Sequence, residues 1–253
     1  MNRRILLLWL SLLGLAACSS SMTPTVQPTA KPTTPPTPQI INHTRPVIPR
    51  VNTEVFRQAA GLPFGEAPIN TYIESIAKTS PLASLDCYAI SEPDALIGAL
   101  DPAYPMVACS TTTEVDRGLY RIGCMMPGVM RYVVYREGKF QSIGSREEFQ
   151  ALYAPITSEN EALSYAIALT GDEAKYGLDA SAGYRIFMSE LEDTHVVKVD
   201  NGYQINLYEY SLCGCGPHPY KVVNLVITTD GSLIVRSRGR AFEDPKDDGL
   251  CVD

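Results

Sequence analysis

The chain has 253 residues, is 45% hydrophobic and 19% charged, and carries a formal net charge of −7. This composition is typical of a folded globular protein. All 28 acidic side chains lie after residue 50, where only 16 basic side chains accompany them. A surface this acidic repels phosphate backbones, which argues against nucleic acid as a partner. The length allows one domain of about 200 residues or two small ones, enough for a real core.

The first residues have the pattern of an export signal. Arg3 and Arg4 supply positive charge before an apolar run from Ile5 to Ala17, which is too short to cross a bilayer as a helix. We therefore predict that residues 1–17 are a signal peptide.

The signal ends in Leu15-Ala16-Ala17-Cys18, which resembles the lipobox of bacterial lipoproteins. The resemblance implies cleavage before Cys18 and lipid attachment to its thiol, so that the membrane becomes a partner. Two or three acyl chains, at about 0.8 kcal/mol per buried CH₂, anchor a protein stably. The alternative is an ordinary secretory signal with a chance cysteine. Ser19 rather than Asp follows Cys18, which favours the outer membrane if the cell has two membranes.

Residues 19–50 have the composition of a tether. They contain eight Pro, seven Thr and no acidic side chain. Such a stretch buries too little apolar surface to fold, and as polyproline II it could reach roughly 100 Å. We predict a disordered tether over residues 18–50 and one globular domain over 51–253, with possible lobes 51–143 and 144–253. Asn42-His43-Thr44 matches a glycosylation acceptor, which chance explains in a bacterial lipoprotein.

The first half of the domain mixes helical and strand patterns. Apolar residues recur at helical spacing between Pro68 and Pro81 and predict a helix, and Ser91 to Asp94 can open another. Two hairpins are predicted next. The first joins Met106–Thr112 to Leu119–Cys124 through Asp116-Arg117-Gly118, and the second joins Val129–Tyr135 to Lys139–Ile143 around Glu137-Gly138.

Two capping boxes open the second half, Ser145 with Glu148 and Ser158 with Glu161. Gly171 is placed to end the longer helix. Four β-rich runs follow, separated in part by Asn-Gly and Asp-Gly turns: His195–Val199, Tyr203–Tyr210, Tyr220–Thr228 and Ser232–Arg238.

A helix followed by a four-stranded meander predicts an α+β fold, with helices packed on antiparallel sheet. The element order over residues 158–238 resembles the PepSY and cystatin-like group of secreted helix-on-sheet modules. The resemblance implies this topology and no functional residue.

Six cysteines follow Cys18, and an even number in an exported protein predicts disulfides. They are Cys87, Cys109, Cys124, Cys213, Cys215 and Cys251. If the first hairpin turns at Asp116-Arg117, Cys109 and Cys124 lie opposite each other within disulfide range. We therefore favour a Cys109–Cys124 bond, with the other pairings open.

The stretch Cys213-Gly214-Cys215-Gly216-Pro217-His218 allows two kinds of interpretation. As structure, the cysteines join this connection to Cys251 and Cys87. As chemistry, Cys213, Cys215 and His218 could bind Zn or Cu, or His218 could activate a thiolate nucleophile. We favour the structural interpretation.

The other polar residues carry weaker signals. His195 stands at a strand start, where a structural role is common. Glu190, Glu192 and Asp193 could supply paired carboxylates, but we favour a solvated acidic turn. Common hydrolase, zincin and nucleotide-binding motifs do not occur. We assign no catalytic residue and expect no cofactor.

The predicted function is that of a non-catalytic, membrane-anchored envelope lipoprotein with a binding or interaction domain. Its partner could be an envelope protein or a small ligand. The alternative is an enzyme or metal-handling protein centred on Cys213, Cys215 and His218.

Overall fold

The computed structural model describes residues 37–64, 67–112, 118–125 and 127–252. Of these residues 36% are strand and 19% helix, with three α-helices and a sheet curled into a half-barrel. The predicted α+β class is therefore wrong, because the fold is mostly sheet. The α-helices are α1 (Glu54–Ala59), α2 (Arg146–Tyr153) and α3 (Glu159–Thr170). Short 3₁₀ helices cover Ile73–Ser75, Pro81–Ser84, Ala180–Ala182 and Pro245–Asp247.

The strands of the described residues are numbered in chain order. They are β1 (Gln39–Ile41), β2 (Thr71–Tyr72), β3 (Ala89–Ser91), β4 (Met106–Thr111), β5 (Tyr120–Ile122), β6 (Gly128–Arg136), β7 (Lys139–Ile143), β8 (Arg185–Ile186), β9 (Glu190–Glu192), β10 (Val196–Val199), β11 (Gly202–Tyr210), β12 (Gly214–Cys215), β13 (Pro219–Thr228), β14 (Leu233–Glu243) and β15 (Cys251–Val252).

The first sheet is antiparallel and contains β2 to β7. Its long strand β6 pairs with β4 along one edge and with β5 and β7 along the other. The predicted β4–β5 hairpin is therefore wrong, and its turn at residues 113–117 lies outside the described residues. The β6–β7 hairpin is confirmed, with Glu137 and Gly138 both at positive φ.

The second sheet is antiparallel in the order β10-β11-β13-β14-β8. Gly202 opens β11 at φ +140°, where a Cβ would lie 2.1 Å from the carbonyl oxygen of Ile227. Only glycine fits this close approach of two strands. Two small pairs lie outside the main sheets: β12 with β15, antiparallel, and β1 with β9, parallel.

Helix α3 is central to the core. Its residues from Glu161 to Leu169 are buried, and one apolar cluster joins it to α2 and to both main sheets. Because α3 is covered on all sides, its whole surface packs against neighbouring elements, whereas an amphipathic helix would bury only one stripe. Ser158 accepts from the Glu161 amide and Gly171 is in the left-handed conformation, as predicted. The capping box itself is not completed, because the Glu161 carboxylate accepts from the Thr157 amide.

The predicted helix between Pro68 and Pro81 is wrong. The chain forms β2 and a 3₁₀ turn there. Ile69 and Ile76 are buried, but Tyr72, which helical spacing would place beside them, is 59% exposed. The apolar spacing therefore records separate core contacts rather than one helix face. The segment after Ser91 makes turns, in which Asp94 accepts a hydrogen bond from the Leu96 amide.

The domain begins earlier than residue 51. Within the stretch assigned to the tether, β1 pairs in register with β9, and Ile40 packs against an apolar cluster that includes Leu191 and Phe242. The predicted boundary is corrected accordingly, since residues 39–41 are part of the fold. The Pro-rich stretch before residue 37 lies outside the described residues.

Candidate functional site

The described residues contain three disulfides: Cys87–Cys109, Cys124–Cys213 and Cys215–Cys251. The favoured Cys109–Cys124 pairing is wrong, because β4 and β5 both pair with β6 instead of with each other. The expected link from the 213–215 loop to Cys251 is present, whereas the expected link to Cys87 is replaced by a bond to Cys124.

The disulfides of Cys213 and Cys215 exclude thiolate chemistry in the 213–218 loop of this structure. Metal binding or nucleophilic attack there needs thiolates, and neither Cys213 nor Cys215 is a free thiol. His218 is 3% exposed, and its two ring nitrogens each lie 3.3 Å from a carbonyl oxygen, of Ser211 and of Leu250. The ring therefore connects the loop to the C-terminal segment.

A different polar cluster forms where the N-terminal segment, residues 37–50, meets the end of β9. Asp193 follows β9 and is fully buried. Its carboxylate accepts from the backbone amides of Gly177 and Leu178 at 2.8 and 3.0 Å. It also accepts from the amide of His43 and the side chain of Asn42, each at 3.2 Å. One buried carboxylate thus fixes the N-terminal segment to the domain.

This attachment brings together the three residues that we call the histidine site: His43, Glu192 and His195. Nε2 of His43 lies 2.7 Å from Oε1 of Glu192, and Nδ1 of His195 lies 3.5 Å from the same oxygen. The two imidazole rings are stacked, with centroids 4.4 Å apart. All three side chains are between one-fifth and about one-third exposed, so solvent and small ligands reach them.

Buried side chains of β11 hold the backbone of Glu192 and His195 in place. Asn206, 4% exposed on β11, accepts from the His195 amide at 2.8 Å. Its amide nitrogen donates to the carbonyl oxygens of Glu192 and Asp193. The Tyr208 hydroxyl also donates to the Glu192 carbonyl, and burial raises the pKa of this phenol. Two side chains of β11 therefore fix the backbone from Glu192 to His195.

A groove of about 200 Å³ opens beside the site. Its lining includes His43, His195 and Tyr176, together with Glu159 and Asn160 at the start of α3. Burial raises the pKa of Tyr176 to about 12, so its hydroxyl remains a neutral donor at physiological pH. The groove suits an ion or a small polar molecule rather than a large apolar ligand.

Sequence reasoning missed this site. It treated His43 as part of a chance glycosylation pattern, His195 as structural, and Glu192 as solvated. His43 and Glu192 are 149 positions apart, and the β1–β9 pairing and the Asp193 hydrogen bonds bring them together. The chain has only three histidines, and two of them meet here, which is a signal visible only in the fold.

No family model, curated protein or solved structure matches this chain. Among the described residues, no helix is long and apolar enough to cross a membrane. Cys18, the predicted lipidation site, lies outside the described residues.

Proposed function

We propose that the protein is a lipid-anchored lipoprotein of the cell envelope whose folded domain binds a ligand and does not catalyse a reaction. The lipid on Cys18 would attach it to the membrane, at the outer membrane where two membranes exist. The residues between the lipid and β1 would act as a short tether.

The observation that carries this proposal is the oxidation of all six cysteines after Cys18 in three disulfides. Disulfides persist in secreted and periplasmic proteins and are rare in a reducing cytosol. The oxidised cysteines therefore support export, which agrees with the signal and the lipobox resemblance at residues 1–18. The groove beside the histidine site supports binding as the role of the domain.

Fractionation of cells that express Cys18→Ala tests the anchor. We expect the wild type in the membrane fraction and the variant either unprocessed or released. Ser19→Ala is the matched control, because it leaves the four lipobox residues unchanged, and it should fractionate with membranes as the wild type does.

Metabolic labelling with an alkyne palmitate gives a second measurement that does not depend on variant stability. The wild type should incorporate the label and Cys18→Ala should not. A processed Cys18→Ala protein that fractionates like the wild type, or an unlabelled wild type, would overturn the proposal.

A further inference from the structure

We infer that His43, Glu192 and His195 bind one zinc ion at the mouth of the groove. The proposed function names no ligand, and this inference rests on it only in taking the same groove as the binding site. Anchoring through Cys18 and zinc binding are measured separately, so one can fail without the other.

The distances are close to those of a zinc site. One nitrogen of each histidine and one oxygen of Glu192 all lie within 4.8 Å of one another. Around a tetrahedral zinc ion, with bonds of about 2.1 Å, ligand atoms lie roughly 3.4 Å apart. The His195–Glu192 separation of 3.5 Å already fits, and the His43–Glu192 separation of 2.7 Å must widen by less than 1 Å.

The donor set also selects the metal. Two imidazole nitrogens and one carboxylate suit zinc, and three protein ligands leave a fourth position for water or a ligand group. His43 and His195 line the groove, so a ligand bound there would reach this position, and Glu159 is a further lining residue. A net negative surface further attracts a divalent cation.

The surroundings fix the backbone that carries two of the ligands. Nδ1 of His195, the nitrogen that lies 3.5 Å from Glu192 Oε1, also lies 3.2 Å from the carbonyl oxygen of Asp193. As a zinc ligand Nδ1 offers its lone pair and the proton is on Nε2, so the metal replaces this contact with the carbonyl. Asn206 and Asp193 fix the backbone from Asp193 to the His195 amide, so little ordering is left to the metal.

The stacked rings must move for the ion to enter. Each imidazole binds metal in its own plane, and the planes now lie at 24° with centroids 4.4 Å apart. The rings are 35% and 21% exposed, so one of them can turn toward the groove without disturbing the core. The cost of this motion is the loss of the hydrogen bond between His43 and Glu192.

Zinc would connect the N-terminal segment to the domain, because His43 comes from the segment after β1 and the other two ligands follow β9. Binding to the folded protein alone stabilises it by mass action. The ion would therefore strengthen the attachment that Asp193 already makes.

Titration of the metal-free, tag-free, full-length protein in detergent with zinc chloride tests the inference. We expect one ion per chain with a Kd below about 10 µM by calorimetry. His43→Gln, Glu192→Gln and His195→Gln should each weaken binding by at least about tenfold. The control Glu190→Gln removes a neighbouring carboxylate on β9 and should change the affinity by less than about twofold.

Cobalt substitution of the wild type gives a measurement that does not depend on the folding of variants. Bound cobalt(II) should show the intense visible absorption of four-coordinate nitrogen and oxygen ligation. The inference is overturned if the wild type binds no zinc at a zinc chloride concentration of about 100 µM. It is also overturned if the histidine variants retain wild-type affinity, or if cobalt keeps the weak spectrum of its hydrated ion.

Discussion

Asp172, just after α3, is a buried carboxyl group with an incomplete set of partners. It is 8% exposed, and its Oδ2 accepts no hydrogen bond from any residue that the structure describes. Burial, and next the negative charge of Glu209, raise its pKa to about 6. An unfolded Asp has a pKa of about 3.9. Between about pH 4 and about pH 6 the folded chain therefore binds more protons at this group than the unfolded chain does. This group's contribution to stability is therefore lost as the pH rises through that window.

Asp172→Asn should therefore stabilise the protein at pH 7.5 by about 1 to 3 kcal/mol and change little at pH 4. The amide cannot ionise and has nearly the same shape. Thermal unfolding at both pH values measures the effect. Asp230→Asn is the control, because hydrogen bonds from Thr228 and Ser232 lower the pKa of that exposed carboxyl. A gain at pH 7.5 in the control, or none in Asp172→Asn, would contradict the account.

His218 is a structural residue at the same scale. Its ring is buried between the carbonyl oxygens of Ser211 and Leu250. His218→Ala should lower the free energy of unfolding by about 1 to 3 kcal/mol, because the packing of the buried ring and its hydrogen bond to a carbonyl oxygen are lost. His218→Gln keeps a donor and should lose less. Urea unfolding measures both, and an unchanged midpoint in His218→Ala would show that the ring is dispensable.

At the scale of elements, the pairing of β1 with β9 depends on Asp193. Asp193→Ala removes the acceptor of the His43 amide and of the Asn42 side chain. We expect hydrogen exchange in residues 37–44 to become markedly faster in the variant. Asp179→Ala is the control, since within the described part of the chain this exposed carboxylate accepts hydrogen bonds from Ser181 in the neighbouring 3₁₀ turn. Equal protection of β1 in both variants would contradict this role of Asp193.

Local signals predicted local elements. The capping serines before α2 and α3, Gly171, and the Glu137-Gly138 turn act over a few residues, and the structure has each of them where the sequence indicates. Pairing over longer distances was not predictable. The run from Leu119 to Cys124 follows β4 in sequence, but its strand β5 pairs with β6 instead of with β4. Cys109 and Cys124 therefore do not face each other, and each bonds to another cysteine.

The candidate site was unpredictable for the same reason. His43 reaches Glu192 and His195 because Gln39–Ile41 form a parallel strand with β9 and Asp193 accepts from the His43 amide. A three-residue strand in a Pro-rich stretch has almost no sequence signal, since its composition is that of a linker. The apolar pair Ile40 and Ile41 is the one local feature that could have indicated a contact with the core.

At the scale of the whole molecule, Cys124–Cys213 joins the loop before β6 of the first sheet to the loop after β11 of the second. This bond closes a longer segment than the other two, at a sequence separation of 89 residues. The double variant Cys124→Ala/Cys213→Ala should lower the free energy of unfolding by about 2 to 5 kcal/mol.

The double variant Cys215→Ala/Cys251→Ala provides the comparison, since it removes a disulfide with a sequence separation of only 36 residues. On the chain-entropy model, this variant should lose slightly less free energy of unfolding than the first one. Denaturant unfolding of the oxidised proteins measures both, and an unaltered midpoint in the first double variant would show that the two sheets do not depend on their covalent link.

The intact mass of the protein extracted from membranes tests the central claim most directly, namely that this is an exported and lipid-anchored protein. The account predicts a chain that begins at Cys18, carries two or three acyl chains, and lacks the six thiol hydrogens that three disulfides remove. An unacylated chain, or an acylated one whose six other cysteines are reduced, would contradict it.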